Sequence, residues 1–361
     1  MATPKLFTPF TLRDLTVRNR IWVAPMCQYS VFERDGVPRD WHLAHLASFA
    51  AGGAGMIITE ATAVSPEGRI SDQDTGIWNQ EQVVAWRRIN DFLHAQGAKV
   101  GIQLAHAGRK ASTWPAWGFD RSGTMSIADG GWATVAPSAV AFGHYDTPVA
   151  LDADGIEKVV SDFVTAADRA VQAGFDLLEL HAAHGYLLHQ FLSPLSNQRD
   201  DEYGGSLENR ARLLLRIVRA VRDAVGTGIP VLVRFSATDW TAGGWTQEET
   251  ATVAGWAHEA GADFFDISTG GNVPAASIPI GPGYQVPFAD YVGTEAEVPT
   301  GAVGLITEPA QAAEIVESGK ADVVLLAREM LRDPHFALRA AHELGVEIDY
   351  WPGQYERARL A

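Results

Sequence analysis

Residues Glu179 to Pro194 read ELHAAHGYLLHQFLSP, which sets His181, His184 and Tyr186 within six residues at the end of an apolar run. Two imidazoles and a phenol this close together suggest a site, as acid and base. With His189 they could instead offer nitrogen ligands to a metal, although catalytic divalent sites usually draw carboxylates and histidines from several strands and no H-E-x-x-H is present. A third reading is a pair of core histidines bonded to backbone. A strand turns its side chains over every two residues, so His181 and His184 share a side only if the chain leaves the strand between them. Ala182, Ala183 and Gly185 permit that bend. Elsewhere Arg234 ends the run VLVRFS, which is too apolar to hold a cation without a partner. Gln103 ends another such run and can both donate and accept.

These residues must be positioned by a scaffold, and the chain repeats one grammar throughout. An amphipathic stretch closes on glycine and a short apolar run follows at once, as in HAQGAKVGIQLA, VQAGFDLLELHA and HEAGADFFDIS. Eight strands are expected, starting near Ile21, Met56, Val100, Phe175, Val231, Phe264, Gly301 and Val323, with helices between them. The runs are apolar on both faces, as parallel strands under helices are. The reading is an α/β protein, a (β/α)8 barrel of the TIM type, forming a single domain over residues 1–361. An open doubly wound sheet uses the same units. Its G-x-G-x-x-G fingerprint is absent, and Gly319-Lys320 is followed by alanine instead of a P-loop hydroxyl. Two stretches break the rhythm, residues 106–150 with Trp114, Trp117 and Trp132, and the Gly- and Pro-rich residues 270–290. Loops of that length are usually lids or binding loops. Residues 346–361 form a C-terminal tail.

Composition narrows the partners. A formal charge of -16 disfavours nucleic acid and anionic membrane surfaces, while 47% hydrophobic residues can fill a large core. Cys27 stands alone, which excludes disulfide frameworks, thiolate zinc sites and cysteine-ligated iron–sulfur clusters within one chain. No basic segment followed by an apolar run opens the sequence, and no stretch approaches the ~20 apolar residues of a membrane span. A cytoplasmic protein is expected, with small molecules as its partners.

Several long motifs occur in one order: KLFTPFTLRDLTVRNRI, APMCQYS, GRISDQDTGIW, GIQLAHAGRK, HAAHGYLLHQFLSPLSNQRDDEYGGSLENR, TGAVGLIT, LLAREMLRDPHFA and the terminal QYER. In these the chain resembles the old yellow enzyme family of flavin-dependent ene-reductases, most closely its thermophilic-like bacterial branch. The resemblance implies non-covalently bound FMN across the barrel mouth, its phosphate held near Gly304, the Ala327 backbone and Arg328. Ala24, Pro25, Met26 and Ala61 would line the flavin, and Arg234 and Gln103 would meet its pyrimidine edge. For Arg234, reduced flavin would be the missing partner. Cys27 would tune the potential from the reactive edge without acting as a nucleophile, and Tyr29 would donate to a substrate oxygen.

By the same resemblance, NADPH or NADH reduces the flavin from the face the substrate later occupies. An α,β-unsaturated carbonyl or nitro compound then has its oxygen held by His181 and His184. Flavin N5 delivers hydride to one carbon, and Tyr186 protonates the other. Arg357 of QYER would reach the neighbouring subunit's site, which implies a homodimer or a dimer-of-dimers tetramer. Two departures stand out: Ala327 occupies a position where glycine is common, and the segment after Lys110 is longer than in many relatives. The main rival is a flavin-free, metal-dependent barrel lyase or hydrolase built on His181 and His184. A dienoyl-CoA reductase is set aside because its iron–sulfur cluster needs more than one cysteine, and an FMN-binding sensor without turnover is a further alternative.

Overall fold

Eight parallel strands follow one another in sequence order and close into a barrel in the computed structural model, which describes residues 3–359. They are β1 (Ile21–Val23), β2 (Met56–Ala63), β3 (Lys99–Ala105), β4 (Leu177–Ala182), β5 (Val231–Ser236), β6 (Phe264–Ser268), β7 (Thr300–Ala302) and β8 (Val323–Leu326). Five begin where the sequence places them; β3 and β7 begin one residue earlier and β4 two later. Eight helices flank them: α1 (Asp40–Ala51), α2 (Gln80–Ala95), α3 (Ala153–Gln172), α4 (Leu207–Val225), α5 (Gln247–Glu259), α6 (Val286–Ala296), α7 (Pro309–Glu317) and α8 (Phe336–Glu343). Their starts are written in the sequence. Asp152 and Ser206 accept the Gly155 and Asn209 N–H groups, and Asn79 with Gln82 and Thr246 with Glu249 form reciprocal caps.

Strand parity explains why the runs look apolar on both faces. On β4 to β6, Leu178, Leu180, Val231, Val233, Phe265 and Ile267 pack outward into the core shared with the helices. Their alternates Leu177, Leu232 and Phe264 fill the barrel floor with Trp22, Met56, Ile58 and Leu325. An unanticipated hairpin closes that floor from below. Its strands Phe10–Leu12 and Leu15–Val17 pair antiparallel, and the Phe10 ring lies 5.9 Å from Phe264.

Continuing along the same strands, the apolar layer gives way to Glu179, the register partner of Gln103, and to Arg234, the register partner of Asp266. The layer above holds His181, Ser236 and Ser268 at the mouth. Both long loops follow strands at this face. Residues 106–150 contain short 3-10 turns and a small parallel pairing of Val135–Ala136 with Val149–Ala150. The second loop is shorter than the sequence implies, because α6 begins at Val286.

The floor yields a first prediction. Phe264 is fully buried against Trp22, so Phe264→Ala should cost about 3–5 kcal/mol in urea unfolding. A loss below about 1 kcal/mol would contradict this packing.

Candidate active site

The bend in HAAHGY is built into the backbone. After Ala182 the chain leaves β4, and His184 takes φ 57° with Gly185 at φ 72°. No side chain fits at residue 185, where a Cβ would stand 2.4 Å from the Gly271 carbonyl oxygen. Each polar group exposed by the bend has a partner. The His184 N–H donates to Ser236 Oγ at 2.9 Å, the Gly185 N–H to His189 Nδ1 at 2.9 Å, and Gln190 Nε2 to the Gly185 carbonyl at 2.7 Å. Lys110 Nζ donates to the carbonyls of His184 at 2.8 Å and Gly271 at 2.9 Å. Beside it, Arg109 donates to Asn272 O and Oδ1 and to Val140 O, so these neighbours bind both long loops to the bend. Burial, helped by Arg109, pushes the Lys110 amine down to about 7.

His189 is consumed by this support. With Nδ1 accepting from Gly185, its proton sits on Nε2, 3.1 Å from Asp239 Oδ1, and both side chains are fully buried. Burial would raise the Asp239 carboxyl, but His189, Ser193 and the Trp245 N–H outweigh it and hold the group well below the usual carboxylate range.

The remaining rings gather at the mouth. His181 lies 5.2 Å from His184 and 5.0 Å from Tyr186, with steep interplanar angles. Burial first, then Arg234 and neighbouring cations, holds both imidazoles well below their ordinary range. They are therefore neutral, and each has one N–H to offer. His184 Nε2 is 2.8 Å from Ser268 Oγ. Thr269 already donates to Gln285 Oε1 at 2.7 Å, against 3.1 Å from Ser268. The one Ser268 hydroxyl proton goes either to His184 Nε2, which leaves that ring's own proton on Nδ1, or to Gln285 Oε1, which then calls for the His184 proton on Nε2. Burial and then Cys27 push the Tyr186 phenol well above its ordinary range, so it stays protonated, and Lys110 Nζ sits 4.9 Å over its ring.

Cys27 and Tyr29 lie across from Tyr186 in one small cluster with Ala61, Ala105 and Trp132. They are carried by the loop after β1, which starts at Ala24, Pro25 and Met26 and is braced where the Gln28 N–H donates to Glu60 Oε2 at 2.9 Å. Glu60 in turn faces His42 at 3.3 Å. Burial, with Asp74 and Glu60, pushes the Cys27 thiol up, so it is a weak donor and no thiolate. Tyr29 meets Trp117 of the first long loop edge-on at 4.9 Å.

Arg234 corrects the sequence reading. Its partner lies within the protein: Nε is 2.9 Å from Asp266 Oδ2, and the carboxylate is fully buried. Gln103 Nε2 donates to Glu179 Oε1 at 2.7 Å. The sequence reading overlooked Glu179, Asp266, Lys110 and Ser268. A signal existed for three of them, since Glu179 and Asp266 each stand two residues before a mouth residue inside an apolar strand, and Ser268 ends one.

The residues present fit FMN. Gly304, at φ 114°, leaves room where a Cβ would meet Gln285 Nε2 at 2.9 Å. Gly304, the backbone of Ala327 and Arg328 line a cavity of about 80 Å³ at the ends of β7 and β8, the usual phosphate position of this fold. His181 Nδ1, buried and without a partner, faces the same mouth. A model of the NADH:flavin oxidoreductase / NADH oxidase family matches residues 5–347. The chain belongs to that family.

Relatives of the same length agree. The chain is 50% identical over 355 residues to an NADPH dehydrogenase of Listeria monocytogenes serotype 4b, covering 98% of this chain and 99% of that one. It is 48% identical over 354 residues to the NADPH dehydrogenase of Bacillus subtilis strain 168, covering 98% of each. Among solved structures, morphinone reductase superposes with a TM-score of 0.79 at 29% identity over 96% of this chain and 91% of that one. The old yellow enzyme homologue from Zymomonas mobilis gives 0.79 and 29% over 99% and 98%. The protein is thus an NAD(P)H-dependent, FMN-dependent oxidoreductase of the old yellow enzyme family. The metal-dependent alternative loses its footing, with His184 engaged by Ser268 and His189 by Asp239.

Two measurements test this site. Ser268→Ala frees the His184 tautomer and should weaken binding of a phenol, read by flavin difference absorbance, about 5- to 10-fold for one lost hydrogen bond. Unchanged affinity would show that Ser268 does not set the tautomer. Asp239 has a depressed pKa, so its contribution is present above the unfolded value of about 3.9 and fades as pH falls toward the folded one. Asp239→Asn should cost about 1.5–3 kcal/mol near neutral pH and flatten the acid limb of stability measured in urea.

Proposed function

We propose that this family member reduces activated alkenes with His181 and His184 as the oxygen clamp and Tyr186 as the proton donor. The observation that carries the assignment is one cluster of three rings, two neutral imidazoles and a protonated phenol, above Arg234 and Gln103. Bound FMN supplies hydride chemistry and is itself replenished by NADPH or NADH. Everything else falls to the chain. The two imidazole N–H groups hold the oxygen of an α,β-unsaturated carbonyl or nitro compound and grow stronger partners as charge develops on it. Each such donor is worth ~3 kcal/mol in the transition state. Tyr186 keeps its proton at neutral pH and gives it to the carbon next to the activating group.

In this reading Gly304, Ala327 and Arg328 hold the phosphate, and the small side chains of Ala24 and Ala61 with Pro25 and Met26 bound the ring. Cys27 and Tyr29 would stand at its reactive edge. The replacement of glycine by Ala327 is compatible because the role needs only its backbone N–H.

The assembly belongs to the same proposal. Arg357 is exposed on the 3-10 turn Gly353–Ala358 and makes no hydrogen bond or ion pair among the described residues. Arg359 is held by Glu356 at 3.0 Å and by the Ile348 carbonyl at 3.2 Å. Arg357 is therefore the residue available to a neighbouring subunit, in a homodimer or a tetramer of dimers. A cytoplasmic location accords with the single cysteine. No helix among the described residues is long and apolar enough to cross a membrane.

Stopped-flow absorbance separates the two half-reactions. Tyr186→Phe should slow reoxidation by cyclohexenone about 10²- to 10⁴-fold while leaving reduction by NADPH nearly intact. Equal losses in both would argue against the acid role. For the assembly, Arg357→Ala should raise the KM for enone in a protein whose sedimentation is unchanged; an unaltered KM removes the finger.

A further inference from the structure

The layer beneath the mouth holds more negative charge than its one cation can balance. Glu179 and Asp266 are both fully buried, and Arg234 is the guanidinium between their strands. Gln103 gives Glu179 one hydrogen bond, on Oε1. Oε2 of Glu179 has no donor, and neither oxygen of Asp266 has an aligned one although Arg234 Nε is 2.9 Å away. Two carboxylates beside one guanidinium leave a net charge of one electron in a water-free interior. Such a charge is costly unless a proton cancels it.

The groups around Glu179 show where that proton sits. On β3 the neighbour is neutral Gln103, the charges that reach it are Arg234 of β5 and Asp266 of β6, and two residues on along β4 stands the neutral His181. The carboxylate of β2, Glu60, is turned away to His42 of α1. Asp266 has the cation at hydrogen-bond distance, whereas Glu179 has only an amide.

We propose that Glu179 is the proton-holding group of the flavin site, neutral in the resting enzyme and coupled through Arg234 to the oxidation state of the ring above it. This deepens the function proposed above and rests on it. Burial, reinforced by Asp266, pushes the Glu179 carboxyl up to about 8 against the opposing pull of Arg234. On that reading, bound FMN would take hydride, two electrons and one proton, from NADPH, and the negative charge gained would fall in the field of Arg234. That charge draws on Arg234 and makes an ionised Glu179 harder to sustain. Above about pH 8, where the resting acid has lost its proton, reduction therefore returns one from water: NADPH and one proton in, NADP⁺ out, with Glu179 reprotonated.

Potentiometric titration of the FMN-loaded enzyme from about pH 7 to about pH 9.5 tests the coupling. Each proton taken up with two electrons gives about 30 mV per pH unit. The wild type should show one proton per two electrons below about pH 8 and close to two above it. Glu179→Gln keeps an acceptor for Gln103 but cannot ionise, so the steeper limb should vanish. Asp266→Asn removes the charge that retains the proton, so the break should move to lower pH. Infrared spectra of the wild type should contain a protonated-carboxyl C=O band that titrates away near pH 8 and is missing in Glu179→Gln. A single slope in the wild type, or a break that survives in Glu179→Gln, overturns the proposal; if that variant does not fold, the infrared band and Asp266→Asn decide it alone. A protein that takes up no FMN overturns the functional reading as well. One that is reduced normally by NADPH yet shows no break overturns only the role of Glu179.

Discussion

A guanidinium placed inside a closed parallel barrel has no water to turn to, and this constraint organises the site. Arg234 stands where the apolar floor ends, so the strands on either side must supply its counter-charge and the remaining hydrogen bonds. Parallel pairing makes this possible, because register brings Gln103 beside Glu179 and Arg234 beside Asp266. The histidines above then sit over a fixed field. That field, with burial, keeps them neutral, and neutrality makes their hydrogen-bond directions a matter of tautomer. Ser268 acquires its importance in this way.

The second organising feature is the bend that turns His184 back toward His181. Its cost in left-handed backbone is met by a converging set of partners from β5, from the segment after β3 and from the loop after β6. Arg109 and Lys110 are adjacent in sequence, yet one holds Asn272 and Val140 while the other holds His184 and Gly271. The two long loops and the histidine turn are consequently one mechanical unit. A change of length in either loop would be felt at the histidines.

Much of this was legible in the sequence, and the parts that were not share a cause. Glycine-closed helices and apolar runs gave all eight strands, because local propensity and burial period agree there. The HAAHGY cluster was visible because its residues are adjacent in the chain. Glu179 and Asp266 were overlooked because each is a single acid inside an otherwise apolar strand, and its meaning depends on a partner on the adjacent strand that only register supplies. The internal partner of Arg234 went unseen for that reason. The hairpin under the floor was missed because its strands are three residues each, too short for alternation to register.

That hairpin has a bearing on how the chain reaches its native state. Arg13, in its turn, bonds Asp263 across 250 residues, and Phe10 rests on Phe264 just beyond. Contacts so distant along the chain carry a large loop-closure entropy and form late. While the polypeptide is being synthesised, the apolar side of the hairpin waits exposed until β5 and β6 have emerged. The barrel's base thus stays open for most of synthesis, and nascent chains would meet one another, or a chaperone, through that opening.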